Sequence, residues 1–147
     1  MEIYDSLLGA VCDEYDRVTL IKKSERGEVT LIRHRASGNR YIFRHFSGSS
    51  EVYRKLLTIS CPNLPQIMEV GEKEGKTALL EEYVQGDTLG EILQGGLLTA
   101  AQAKQITRQL CMALWVLHSL GVVHRDVKPD NVIIRGTEAV LIDFDAS

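Results

Sequence analysis

Short apolar segments separated by polar turns fill the first half of the chain and predict an antiparallel sheet. The segments are rich in β-branched and aromatic residues, and the turns between them contain Ser, Gly and Asn. Near the start, Ile3, Leu7 and Val11 recur every four residues, which predicts a short amphipathic helix. The predicted strands are Val18–Ile21, Val29–Ile32, Tyr41–Phe43, Gln66–Val70 and Thr77–Glu82, and a helix over Glu51–Ile59 is predicted between the third and fourth.

After residue 85 the pattern changes from strands to helices. A short helix is predicted from Thr88 and a long one from Thr99, with Gly121 at the position of a helix-ending residue. Two further strands, Val132–Ile134 and Val140–Ile142, flank a turn. The pattern therefore predicts an α+β fold in three parts: a helical extension over residues 1–14, a sheet-rich part over 15–84 and a helical part over 85–147.

Composition narrows the class of partner. The 147 residues carry a net charge of −3, which gives no reason to expect nucleic acid or an anionic membrane surface as a partner. The three cysteines are widely spaced and form no disulfide framework, as is typical of a reducing compartment. The start lacks the features of a signal peptide, and the longest apolar run, Leu110–Leu117, is too short to span a bilayer. We therefore expect a cytoplasmic chain.

The strongest chemical signal is the segment His124–Asn131, followed twelve residues later by Asp143-Phe144-Asp145. Phosphoryl transfer requires an oriented acceptor hydroxyl, neutralised phosphate charge and bound metal ions. Asp126, Lys128 and Asn131 place a carboxylate, an ammonium and an amide in one short loop. A second carboxylate at Asp143 could hold Mg²⁺ together with the amide.

These two motifs resemble the His-Arg-Asp-x-Lys-x-x-Asn and Asp-Phe-Gly signatures of eukaryotic-type (Hanks-type) serine/threonine protein kinases. The resemblance implies a protein-kinase-like fold: an antiparallel-sheet small lobe and the first helical part of a large lobe. It also implies Mg-ATP as phosphate donor and a protein hydroxyl as acceptor. Asp126 and Lys128 would be catalytic, and Asn131 and Asp143 would be magnesium ligands. The compressed small lobe suggests a bacterial member.

Other groups expected from the resemblance are altered in the first half. Aligned on Gly27 and Val29, the glycine-rich loop that would cover the ATP phosphates retains one glycine of three. Arg44 stands where the family has the lysine that pairs with the phosphates. Glu51 is the candidate partner for Arg44, although it follows Arg44 by only seven residues.

The segment Leu79–Asp87 resembles the hinge between the kinase lobes. The backbone of Glu82 and Val84 would then bind adenine, and Asp87 would approach the ribose. The residue before Glu82 is usually apolar in the family but is Glu81 here. A buried carboxylate at this position requires a partner, for which Lys22 or Arg44 has the correct sign.

Three interpretations remain open at this point. The first is a serine/threonine protein kinase whose chain is cut after the Asp-Phe-Asp motif and is inactive by itself. The second is a pseudokinase-like module that binds nucleotide or presents a surface. The third is a small-molecule phosphotransferase of the aminoglycoside or choline kinase type, because Ile142–Ala146 resembles that group as well. The apolar run Leu110–Leu117 also predicts self-association through an exposed helix of the large lobe.

Overall fold

The structure is a computed structural model that describes residues 2–147. The chain divides into two compact units: the first extends to Ile59 and includes Gln66–Tyr83, and the second comprises Ser60–Pro65 and Val84–Ser147. The elements in chain order are α1 (Ile3–Glu14), β1 (Tyr15–Lys23), β2 (Gly27–His34), β3 (Arg40–Ser47), α2 (Glu51–Leu57), β4 (Ile67–Lys73), β5 (Lys76–Glu82), β6 (Asp87–Thr88), α3 (Leu89–Gln94), α4 (Ala100–Ser119), a 3₁₀ turn (Pro129–Asn131), β7 (Val132–Arg135) and β8 (Glu138–Leu141).

The first unit contains a five-stranded antiparallel sheet with the strand order β1-β2-β3-β5-β4. The five predicted strands are all present, and β1, β2 and β3 extend beyond the predicted segments at both ends. Strands β3 and β5 lie in the interior of the sheet, so their backbone hydrogen bonds are satisfied on both edges.

Helix α1 packs on one face of this sheet. Leu7 and Val11 are buried there as predicted, whereas Ile3 is 56% exposed and the neighbouring Tyr4 is buried in its place. Gly71 on β4 permits this close packing, because a Cβ at that position would overlap the backbone of Tyr4. The residues of the sheet that share this apolar cluster are Ile32, Phe43, Ala78 and Leu80.

The second unit contains a small antiparallel sheet with the order β6-β7-β8, and α4 packs against β8. Helix α4 begins with a capping box in which the Thr99 hydroxyl accepts from the Gln102 backbone and the Gln102 side chain accepts from the Thr99 backbone. Gly121 follows the helix with φ = 76°, which confirms the predicted helix end.

The apolar run in α4 is not buried on every face. Leu117 is fully buried, whereas Met112 and Trp115 are 51% and 68% exposed. Self-association through this helix stays a prediction. None of the helices within residues 2–147 is long and apolar enough for a membrane crossing.

Candidate active site

The loop between α4 and β7 carries the motif His124–Asn131 and is organised by a buried histidine. The Nδ1 atom of His124 accepts a hydrogen bond from the Asp126 backbone at 3.1 Å, and its Nε2 lies 2.9 Å from the Ile142 carbonyl oxygen. Because a carbonyl oxygen only accepts, the proton of the neutral ring is on Nε2. His124 thereby connects the loop to the segment that follows β8, and its ring contacts Phe144 edge-on.

Asp126 and Asn131 are held together by side-chain bonds within this loop. The amide nitrogen of Asn131 donates to the carboxylate oxygen Oδ2 of Asp126 at 3.0 Å and to its backbone oxygen at 2.9 Å. The Nζ atom of Lys128 lies 3.6 Å from the same carboxylate oxygen, and its side chain is about half exposed. The three residues therefore form one cluster, in which the carboxylate is fixed and the ammonium remains accessible to solvent.

The second carboxylate of the candidate site lies at the same end of the β7–β8 hairpin. Val132 pairs with Leu141, and the Ile142 backbone donates to the Asn131 carbonyl at 2.9 Å. Asp143 comes directly afterwards, so the backbone brings Asn131 and Asp143 to neighbouring positions. Asp143 also has φ = 67°, a left-handed conformation that is unusual for a residue with a Cβ and that concentrates at functional sites.

The donor set at this end of the hairpin suits Mg²⁺. Both hydrogen bonds of the Asn131 side chain use its nitrogen, so its amide oxygen is the atom that could coordinate a cation, together with the Asp143 carboxylate. Within residues 2–147 no group of three or more His, Cys, Asp or Glu side chains could hold a metal ion by itself. Mg²⁺ commonly keeps several waters and takes substrate phosphates beside one or two protein ligands, so the two residues fit this metal.

Asp145 occupies the position of the family's glycine, and the backbone accommodates it. The Asp145 backbone donates to the Asp143 carboxylate at 3.1 Å, so this turn supports the preceding side chain. Phe144 is buried against His124. The substitution of glycine therefore leaves Asp143 anchored.

In the first unit, Arg44 and Glu81 form a buried ion pair. The Nε and Nη2 atoms of Arg44 lie 3.1 and 3.4 Å from the two carboxylate oxygens of Glu81, and the side chains are only 8% and 4% exposed. Of the two cations suggested as partners of Glu81, the structure therefore brings Arg44 to it. The planar guanidinium can bond both carboxylate oxygens at once, whereas the ammonium group of a lysine acts as a point charge and lacks this paired geometry.

Gly27 and Val29 lie at the start of β2, after a turn closed by backbone hydrogen bonds between Ser24 and Gly27. A Cβ at Gly27 would overlap the carbonyl oxygen of His45 on β3, so a sheet contact already explains this glycine. Val29 pairs with Arg44 across β2 and β3 and lies on the same face of the sheet.

The remaining predicted residues are more dispersed. Glu82 ends β5, and both its backbone nitrogen and its carboxylate bond to Gln66. Val84 is buried in the second unit, and Asp87 is exposed on β6, paired with Ile134. The side chain of Glu51 is 74% exposed and ion-paired with Lys55 one turn along α2, so the structure does not bring it to the buried Arg44.

Two residues that support the site were given no role by the sequence analysis. Asn63 accepts from the Leu141 backbone and donates to the Ala139 carbonyl, which fixes β8 from the loop before β4. Asp130, inside the motif, packs so closely on Gly90 of α3 that a Cβ there would overlap its carboxylate. The motif itself marked Asp130, whereas no sequence signal pointed to Asn63.

Comparison with known proteins agrees with this geometry. The family model described as the protein kinase domain matches residues 16–147, nearly the whole chain. The serine/threonine-protein kinase pkn2 of Myxococcus xanthus is 35% identical over 95 residues, which are 62% of this chain and 11% of the relative. The serine/threonine-protein kinase D of Synechocystis is 38% identical over 85 residues, 56% of this chain and 16% of the relative.

Mammalian relatives and a solved structure extend the similarity along the chain. Sperm motility kinase 2B of Mus musculus is 32% identical over 127 residues, 80% of this chain and 26% of the relative. The crystal structure of Rad53 1-466 in complex with AMP-PNP has the same fold, with a TM-score of 0.77 and 21% identity over 93% of this chain and 40% of that one. The chain thus spans less than a third of the length of these curated relatives, and within that span it belongs to the protein kinase family.

Proposed function

We propose that the chain is the nucleotide-binding and catalytic-loop part of a serine/threonine protein kinase, which transfers the γ-phosphoryl group of Mg-ATP to a protein hydroxyl. The observation that carries the proposal is the bonded cluster of Asp126, Asn131 and Lys128. The bacterial relatives, which are serine/threonine-protein kinases, support the serine/threonine class. In this assignment the first unit is the small lobe, the second is the front of the large lobe, and the location is cytoplasmic.

The cluster assigns a task to each of its side chains. Asn131 fixes one carboxylate oxygen of Asp126, and the carboxylate orients the acceptor hydroxyl and accepts its proton. Lys128, which is half exposed, provides a mobile positive charge for the phosphate being transferred. His124 keeps the loop in place without contacting the reactants.

Asn131 and Asp143 would hold Mg²⁺, which when bound neutralises phosphate charge. Their positions on one end of the hairpin support this assignment. The residues proposed for nucleotide binding are Gly27, Val29, Arg44, Glu82, Val84 and Asp87.

A second candidate function is nucleotide binding without transfer. Its support is in the first unit: the turn before β2 has one glycine of the expected three, and the cation on β3 is an arginine already bound to Glu81. Both candidates predict nucleotide binding, and only the kinase predicts that Asp126 is required for turnover.

The experiment measures transfer of labelled phosphate from ATP to dephosphorylated casein by the protein as its gene encodes it. Asp126→Asn keeps the size and the loop geometry, and we expect at least a hundredfold loss of transfer with ATP affinity within threefold. Val127→Ala, on the exposed residue next to Asp126, is the matched control. If the unaltered protein binds ATP but transfers nothing to casein, choline or an aminoglycoside, the binding module is the correct function; transfer to a small molecule alone would identify the third interpretation.

A further inference from the structure

The ion pair between Arg44 and Glu81 lies entirely within one sheet. Arg44 is opposite Leu79 in the β3–β5 ladder, and Glu81 is opposite Ile42. The two charged residues are therefore diagonal neighbours on the same face, a separation that long side chains bridge readily. Both belong to interior strands, so the backbone that carries them is held by hydrogen bonds on either side.

Glu51, the glutamate in the first turn of helix α2, takes no part in this ion pair. Glu51 is mostly exposed and bound to Lys55 on its own helix. The carboxylate at Glu81 instead comes from the strand that neighbours β3. Because Glu81 and Arg44 lie on paired strands that cannot shift independently, a movement of a neighbouring helix does not change the direction in which Glu81 holds the Arg44 guanidinium.

The burial of Glu81 is unusual for a charged side chain. It is 3% exposed, and a buried carboxylate is costly unless it is paired and hydrogen-bonded. Replacing such a pair with apolar residues is often neutral or stabilising, so stability alone gives little reason for it. The charge therefore suits a task beyond folding.

We propose that Glu81 is a positioning residue that orients the guanidinium of Arg44 for phosphoryl transfer, and that this orientation is independent of Glu51. The proposal rests on the proposed kinase function. A guanidinium has five N–H donors in a rigid plane, so a carboxylate that binds two of them sets the direction of the whole group. Glu81 contributes direction, whereas the charge that attracts phosphate belongs to Arg44.

The orientation of the Arg44 guanidinium and the attraction of its charge for ATP have different kinetic effects. Glu81→Gln removes the ionic bond and leaves the charge of Arg44 in place. Attraction for ATP is then retained, but the guanidinium is no longer aligned where charge develops during transfer. We expect kcat to fall at least tenfold while the KM for ATP changes less than threefold.

The experiment measures steady-state transfer from ATP to dephosphorylated casein, using the full protein that the gene encodes, well below its thermal midpoint. Glu81→Gln and Glu51→Gln are compared with Glu69→Gln, a control at an exposed position on β4. The proposal expects the loss of kcat in Glu81→Gln to exceed that in Glu51→Gln at least fivefold. If Glu81→Gln does not fold, Glu81→Asp keeps the charge but shortens the side chain by one methylene, and the same fall in kcat is expected in it. The double variant Arg44→Met with Glu81→Met removes both charges together and is used only to test whether the pair is needed for transfer at all.

Four results overturn it. Unchanged or increased kcat in Glu81→Gln would show that Glu81 gives Arg44 no useful direction. A larger loss in Glu51→Gln would assign the role to helix α2. Transfer by the double variant within threefold of the unaltered protein would show that the pair is structural. Absence of transfer in the unaltered protein would contradict both the kinase function and this proposal. The other three results contradict the role of Glu81 and leave the kinase function intact.

Discussion

Both faces of the first unit's sheet bury apolar side chains, such as Leu80 on one and Leu79 on the other, but they differ in the charge that they bury. On one face, Phe43 and Leu80 pack against α1 in an apolar cluster. On the other, their immediate neighbours Arg44 and Glu81 form a buried ion pair. The apolar face is explained by burial alone, whereas the charged face carries groups whose burial must be compensated. The contrast separates side chains whose burial is favourable by itself from a pair that is tolerated only because its two members meet.

The largest loss of stability should follow from removing only one member of the ion pair between Arg44 and Glu81. Glu81→Leu leaves Arg44 buried without this carboxylate, and we expect a loss of about 3–5 kcal/mol in the free energy of unfolding. Adding Arg44→Leu removes the remaining buried charge and should recover most of that loss. Urea denaturation of the single and double variants measures both. Losses that simply add would show that the two side chains do not act as a pair.

On the apolar face, the comparison is between two residues of the same helix. Leu7 is 2% exposed and Ile3 is 56% exposed. Leu7→Ala creates a cavity under α1 and should cost about 2–5 kcal/mol, whereas Ile3→Ala should cost well under 1 kcal/mol. Urea denaturation again provides the measurement. Equal effects at the two positions would contradict the packing of α1 described above.

Local patterns were sufficient to predict the elements of this sheet, because alternation and turn residues act over a few positions. The pairing of Arg44 with Glu81 depends on the β3–β5 register, which connects residues 37 positions apart. The sequence could therefore name two candidate cations for Glu81 but not choose between them. Likewise Ile3 and Tyr4 fit a helical period almost equally well, and it is Tyr4 that the structure buries, with its hydroxyl bonded to His45 on β3.

The candidate site was more predictable in the second unit than in the first. Asp126, Lys128 and Asn131 lie within one loop, so their spacing alone brought them together. In the first unit Arg44 and Glu51 come from separate elements, and the orientation of α2 determines whether they can meet. The exposure of the Glu51 side chain could not be foreseen from spacing.

A smaller effect of opposite sign is expected at Thr30, on β2. Its hydroxyl is buried and has no hydrogen-bond partner among residues 2–147. Thr30→Val keeps the shape and removes the unpaired polar atom, so the protein should gain about 1 kcal/mol. Thr19→Val, at an exposed position on β1, is the control and should change stability by less than about 0.5 kcal/mol. A loss of stability in Thr30→Val would mean that the hydroxyl is satisfied.

The smallest expected effect is a change in how stability depends on pH, caused by His45 where α1 contacts the sheet. His45 hydrogen-bonds the Tyr4 hydroxyl at 2.7 Å, and its pKa is lowered by burial and by the positive charges of Lys76 and Arg17, with Glu28 acting in the opposite direction. A lowered pKa means that the unfolded chain binds the proton more readily than the folded one. Stability is therefore fully present above the ordinary value of 6.5 and decreases as pH falls below it toward the folded pKa.

His45→Gln should remove that part of the pH dependence, because glutamine does not titrate. The measurement is the free energy of unfolding between about pH 5 and 7.5, the range in which an ordinary histidine titrates. His118→Gln is the control, since His118 is exposed on α4 in the second unit, and this variant should keep the slope of the unaltered protein. The effect should be modest because His45 is only partly buried. A slope that survives in His45→Gln would place the titrating group elsewhere and would leave the attachment of α1 independent of pH.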